Sequence, residues 1–195
     1  MYTNLVNEHS AHDDCIAAGK LRVQLKIKIF LWYLKKGVIL TKDNLLKRKW
    51  KGDGKYCFCN NEENIQHLFF ECHLAKFVWR AVYFTFGINP PDSIGHLLGS
   101  WLNGYPAKLK KLVLVGASAM CWTIWLCPND IVFHQFNSNS YMQVIFRGTY
   151  WARFWSLLPE EEARTDLREN CQRLEAMVMA LFARNGWNFR RRIAV

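Results

Sequence analysis

Residues Cys57 to Arg80 read CFCNNEENIQHLFFECHLAKFVWR, and how this stretch is read decides the fold. Its first half has no period. Cys57, Phe58 and Cys59 open onto a polar run of Asn and Glu, and Gly52 and Gly54 stand just before them, so residues 51–64 read as an irregular loop. From Ile65 the pattern changes. Leu68, Phe69, Cys72, Ala75, Trp79 and Val82 recur at spacings of mostly three and four, which predicts a helix from about 65 until the stop at Gly87.

That division places Cys57 and Cys59 on the loop, with His67 and Cys72 on the first turns of the helix. Three thiolates and one imidazole within sixteen positions form a donor set of the kind zinc takes tetrahedrally in closed structural sites. Zinc held only by the folded chain would add its binding free energy to folding, on the order of 10 kcal/mol for small zinc modules. Cys-x-Cys is tighter than the usual Cys-x2-Cys turn and strains ligation of one ion by both thiolates. The pattern also reads as free buried cysteines beside a surface histidine. His73 is expected to face solvent, and Glu62 and Glu63 to be solvated loop carboxylates rather than general bases. No third residue supports a Cys/His nucleophile, and no Tyr-x-Asp-Asp pair is present, so the chain is read as a non-enzyme.

Toward the N-terminus, LKIKIFLWYLKK from Leu25 has apolar residues on more than one face and predicts a helix ending before Gly37. Thr41 stands as an N-cap with Asp43 in the first turn of a short basic helix reaching about Trp50. Residues 1–20 look like a loose lead-in.

Charge is uneven along the chain. Between Lys20 and Lys55, twelve Lys and Arg face only Asp43 and Asp53, which matches the whole net charge of +10. That density fits a solvated face or a nucleic-acid surface formed by Lys26, Lys28, Lys35, Lys36, Lys47, Arg48, Lys49 and Lys51. Trp50, Tyr56 and Phe58 lie among these charges, either to stack on unpaired bases or to pack beside the metal site.

Toward the C-terminus, Asn89-Pro90-Pro91 marks a boundary. Helical segments follow at roughly 93–103, 107–127, 140–157 and 159–184, with Leu167, Cys171, Leu174, Val178 and Leu181 at helical spacing in the last. The fold class is therefore mainly α: a small helical domain over 21–88 with a zinc-knuckle loop, then a helical C-terminal region over 92–195. It forms one compact domain or two small ones. Nine Trp and thirteen Phe are expected to pack mostly inside. Seven cysteines, an odd number, without a signal peptide argue against a disulfide framework and for an intracellular setting, nuclear or cytoplasmic. The apolar run from Leu112 to Cys127 falls short of a bilayer span and reads as a buried helix.

In combination, LKIKIFLWYLKKGVILTKDNLLKRKW and CFCNNEENIQHLFFECHLAKFVWR resemble the reverse transcriptase zinc-binding domain of plant non-LTR (LINE-type) retrotransposons. The carriers are the FLW-containing helix, Thr-x-x-Asn-Leu, the Cys pair, and His-Leu-Phe-x-x-Cys followed by Ala and Trp. Trp122 to Trp125, Asn129-Asp130, FRGTYWARFW and the closing GWNFRRRI are similar to the ends of such polyproteins, so the resemblance runs from about Leu21 to Ile193. It implies a C-terminal polyprotein fragment, with Cys59, His67 and Cys72 as zinc ligands and RNA or DNA as partner, and with neither a small-molecule substrate nor a membrane. The chain departs from the pattern at Tyr56, where the first thiolate of Cys-x2-Cys is expected, and at Pro128, where an arginine is usual. Cys57 takes the first ligand's role or the site keeps three ligands. The competing reading is a degenerate element remnant, acting if at all as a helical protein-interaction or structural fragment.

Overall fold

In the computed structural model, which describes residues 21–134, 141–155 and 160–185, the regular structure is helical. Among the described residues, β-type pairing is confined to an isolated antiparallel bridge between Lys55 and Glu62. The lead-in over 1–20 and the basic tail at Arg190 to Arg192 fall outside the described residues.

Helix α1 spans Leu25–Lys35 and buries Ile27, Phe30, Leu31 and Leu34, a spacing that lines one helical face. It ends as its glycine predicts. Gly37 takes φ +69°, its N–H donates to the Leu34 carbonyl and that of Val38 to the Tyr33 carbonyl, each at 3.1 Å. Those paired bonds satisfy carbonyls the helix end would otherwise leave open. The second apolar face noted in the sequence is real and faces outward, with Leu25, Ile29, Trp32 and Tyr33 all exposed.

Helix α2 covers only Lys42–Lys47, because Lys49 sits at φ +67° and breaks the helix before Trp50. Thr41 holds the N-cap position, but its hydroxyl donates to the Asp43 carboxylate instead of accepting from the backbone. The opening amides of α2 are taken from across the loop: Lys42 N–H donates to Glu63 Oε1 at 3.2 Å and Asp43 N–H to the Glu63 carbonyl at 3.1 Å. Buried Asn44 donates to the carbonyls of Gly37 and Ile39, both at 2.8 Å, and so clamps the α1–α2 corner.

The helix expected from 65 to 87 is divided. A π-turn occupies His67–Glu71, Cys72 turns out of helical geometry at ψ 147°, and helix α3 runs from His73 to Phe86. After the two prolines, Ser93 caps the short helix α4, Ile94–Leu98, by accepting from the His96 N–H at 3.1 Å. It stops short of Asn103 because the chain bends at Gly99 and Trp101 folds inward, its indole N–H donating to the Asn89 carbonyl at 2.6 Å.

Helix α5, Ala107–His134, continues through Pro128, beyond the expected end at Cys127. Helices α6, Tyr141–Trp155, and α7, Glu161–Asn185, follow. Residues Ala107–Pro128 are long and apolar enough to cross a membrane by length and composition, yet 56% of that window is buried inside the fold. Helix α5 packs against α6, where Gly148 leaves room for Met120; a Cβ there would lie 2.3 Å from the Met120 sulfur. Helices α3, α6 and α7 pack on one another, α1 leans on α5, and the π-turn rests against α5. Buried side chains from both sides of the proline boundary belong to one apolar cluster. Aromatic rings carry much of it: Phe30 meets Phe69 at 6.4 Å and Trp122 at 5.1 Å, and Trp79 meets Trp101 at 5.7 Å.

Candidate metal centre and basic face

The loop before the π-turn is a tight knuckle. Tyr56 N–H donates to the Asn61 carbonyl at 2.8 Å and Cys59 N–H to the Tyr56 carbonyl at 3.2 Å, so the chain reverses around Cys59. Asn64 then accepts from the His67 N–H at 2.8 Å and starts the turn that carries the imidazole.

His67 and Cys72 are five positions apart. On an α-helix at 3.6 residues per turn they would point about 140° apart. The π-turn reduces that offset, because its i→i+5 bond, Cys72 N–H to the His67 carbonyl at 2.8 Å, brings the two positions toward one side. Trp79 braces the turn from α3, its buried indole N–H donating to the Phe69 carbonyl at 2.7 Å.

Cys59 Sγ, His67 Nε2 and Cys72 Sγ lie within 4.8 Å of one another, with Cys59 Sγ and His67 Nε2 3.0 Å apart. Tetrahedral zinc, with bonds of roughly 2.3 Å to sulfur and 2.0 Å to nitrogen, sets neighbouring donors roughly 3.5–3.8 Å apart. The three donors therefore fit one such ion. Burial holds the His67 pKa below its usual value, which favours the neutral, ligating imidazole. Burial pushes the Cys72 thiol up to about 11, opposed by the amides of Leu74 and Ala75 at the start of α3. Metal binding at Cys72 must therefore displace a proton.

Cys57 is exposed and does not join the three donors. Tyr56, at the position where the resemblance expects a thiolate, is buried, with its ring 5.3 Å from Phe58 and 5.7 Å from His67. Its hydroxyl is buried without a hydrogen-bond partner, and burial raises its pKa further beyond the ordinary phenol range. Tyr56 and Phe58 thus pack beside the donors, while Trp50 is exposed and lies over Gly52. His73 is exposed, as its sequence position suggested.

One expectation fails outright. Glu62 is exposed, but Glu63 is 5% exposed, so it is not a solvated loop carboxylate. Burial raises its pKa, and the Lys42 amide opposes that rise. The signal available in the sequence was the bare start of α2, where a carboxylate from elsewhere finds free N–H groups.

The basic residues occupy varied surroundings. Lys36, Lys47, Arg48, Lys49 and Lys51 are exposed, with Lys47 pairing to Asp43 at 3.1 Å, and Lys28 and Lys35 are half-buried. Lys26 is held differently. Its ammonium lies over the indoles of Trp122, Trp151 and Trp155 at 5.9, 5.3 and 5.5 Å, a cation–π arrangement that pairwise sequence spacing did not reveal.

Fold and site together define a helical protein with a Cys/His group that could hold a metal ion, set between a knuckle loop and a π-turn. Residues 1–79 of the 195 match the family described as zinc-binding in reverse transcriptase, a span that contains all three clustered donors. No curated protein and no solved structure matches the chain.

Proposed function

We propose that this chain is a zinc-stabilised, non-catalytic module from a plant-type non-LTR retrotransposon polyprotein, where it forms a C-terminal part and associates with RNA or DNA. The observation that carries the reading is the convergence of Cys59, His67 and Cys72 within a stretch matching a reverse transcriptase zinc-binding family. Zinc on these donors would tie the knuckle loop to the start of α3, and Cys57 or a water would complete the coordination. The ion's work is structural: it fixes a loop that the packing of Tyr56 and Phe58 alone would otherwise hold.

Exposed Lys36, Arg48, Lys49 and Lys51 support nucleic-acid contact, through phosphates and with little base discrimination. The division at Asn89 to Pro91, between two parts that share one apolar cluster, and an intracellular location, nuclear or cytoplasmic, belong to the same proposal. A second reading, a remnant acting only through protein contacts, is favoured by Tyr56 in the place of a thiolate.

Two measurements test the proposal. The purified chain is expected to hold close to one zinc, and Cys59→Ser or His67→Ala to lose it; equal zinc content in all three removes the site. Single-stranded RNA or DNA is expected to bind with affinity that falls steeply between low and physiological salt. Absence of salt-sensitive binding selects the second reading.

A further inference from the structure

The exposed apolar face of α1 borders a cavity of about 420 Å³, within the roughly 300–1,000 Å³ range of small-ligand sites. Phe30, Tyr33, Trp122 and Trp125 supply aromatic wall, and Lys26 and Arg48 supply two cations. Among the described residues no carboxylate lines it and neither cation makes an ion pair. The Lys26 ammonium is fixed on three indoles, so a positive charge is held in place beside the rings. Tyr33 is 45% exposed, and Ile29, Val38 and Leu40 around it are 44%, 40% and 52% exposed.

Large apolar side chains left in water beside two cations with no carboxylate in the lining suit a ligand that is flat and apolar at one end and anionic at the other. We infer that this cavity takes one unpaired base of a single-stranded nucleic acid, with the flanking phosphates on Lys26 and Arg48. The inference rests on the nucleic-acid reading above and sharpens it, since phosphate contacts alone need no pocket. A protein partner would also cover the apolar rim, but an apolar partner gives no account of two cations without a carboxylate. Charge complementarity favours the nucleotide.

The test compares two fluorescently labelled strands of equal phosphate number, an oligouridylate and the same backbone without bases, by anisotropy at fixed salt. Stacking of a base on an aromatic side chain is worth roughly 1–3 kcal/mol, or about 5- to 150-fold in affinity. The base-free strand is expected to bind weaker by a factor in that range. Tyr33→Ala should weaken only the base-containing strand, and Arg48→Gln should weaken both and lower the salt slope by about one. Equal binding of the two strands with salt sensitivity retained overturns the pocket and leaves the nucleic-acid reading standing; so does an unchanged strand preference in Tyr33→Ala, the result expected of a protein-covered surface. No salt-sensitive binding of either strand overturns both.

Discussion

Cys72→Ser separates the metal's contribution from that of the fold, because Cys72 is both a donor and the N-cap residue of α3. Its backbone, φ −58° and ψ 147°, has the extended geometry of an N-cap, and the nearby Leu74 and Ala75 amides favour its thiolate although the sulfur makes no capping hydrogen bond. Serine is among the best N-cap residues, and its hydroxyl would accept from those amides for about 0.5–1 kcal/mol. Against this stands the loss of a buried sulfur, close in size to a methylene and worth about 0.8 kcal/mol. Without metal the two nearly cancel, and the variant should match the parent within about 1 kcal/mol. With zinc at a thousandfold over its dissociation constant the parent gains about 4 kcal/mol. The serine variant, left with Cys59 and His67, should gain little. Urea unfolding followed by circular dichroism, with chelator and with zinc, reads all four values. A zinc increment in the variant equal to the parent's refutes Cys72 as a ligand, and an apo loss above about 3 kcal/mol refutes the capping argument.

Three other expectations follow from the same contacts. Because Glu63 has its pKa raised in the fold, its contribution to stability is fully present below the unfolded value of 4.5 and lost as pH rises through the folded one. Glu63→Gln should therefore gain on the parent between pH 4 and pH 7 in chelator; a pH-independent difference in unfolding free energy contradicts the buried carboxylate. Trp79→Phe strands the Phe69 carbonyl at the centre of the π-turn and thins the packing on Phe70 and Trp101, at a cost of about 2–4 kcal/mol in apo unfolding. A loss below about 1 kcal/mol means the indole does not brace the turn. A fragment of residues 21–88 uncovers the faces of Phe30 and Phe77 that meet Trp122, Trp125, Tyr141 and Phe182. It should lack a cooperative melt even in zinc, and sharp unfolding of that fragment would show that the knuckle domain stands alone.

Helix ends set by local chemistry were legible in the sequence. Gly37 and Gly87 both adopt φ +69° at the stops where the pattern placed them, since only glycine takes that geometry without strain. Boundaries set by tertiary contacts were not. Helix α4 ends early because Trp101 turns toward the Asn89 carbonyl, and α5 runs through Pro128 although proline leaves a carbonyl in the preceding turn without its donor. The same limit hid the surroundings of Lys26, whose three indoles come from two helices roughly a hundred residues further on.

At the site, residue types were legible and geometry was not. The donors cluster as Cys59, His67 and Cys72, yet periodicity alone predicts an unbroken helix from 65 to 87, which would hold the last two apart. Leu68, Phe69 and Phe70 are all buried within the π-turn, as is His67. His67 and Cys72 come together across that turn, on the side of the knuckle. The apolar run between the donors is therefore part of the site. The run packs against α1, α3 and α5, and the π-turn that holds it brings a histidine and a cysteine five positions apart within reach of one ion.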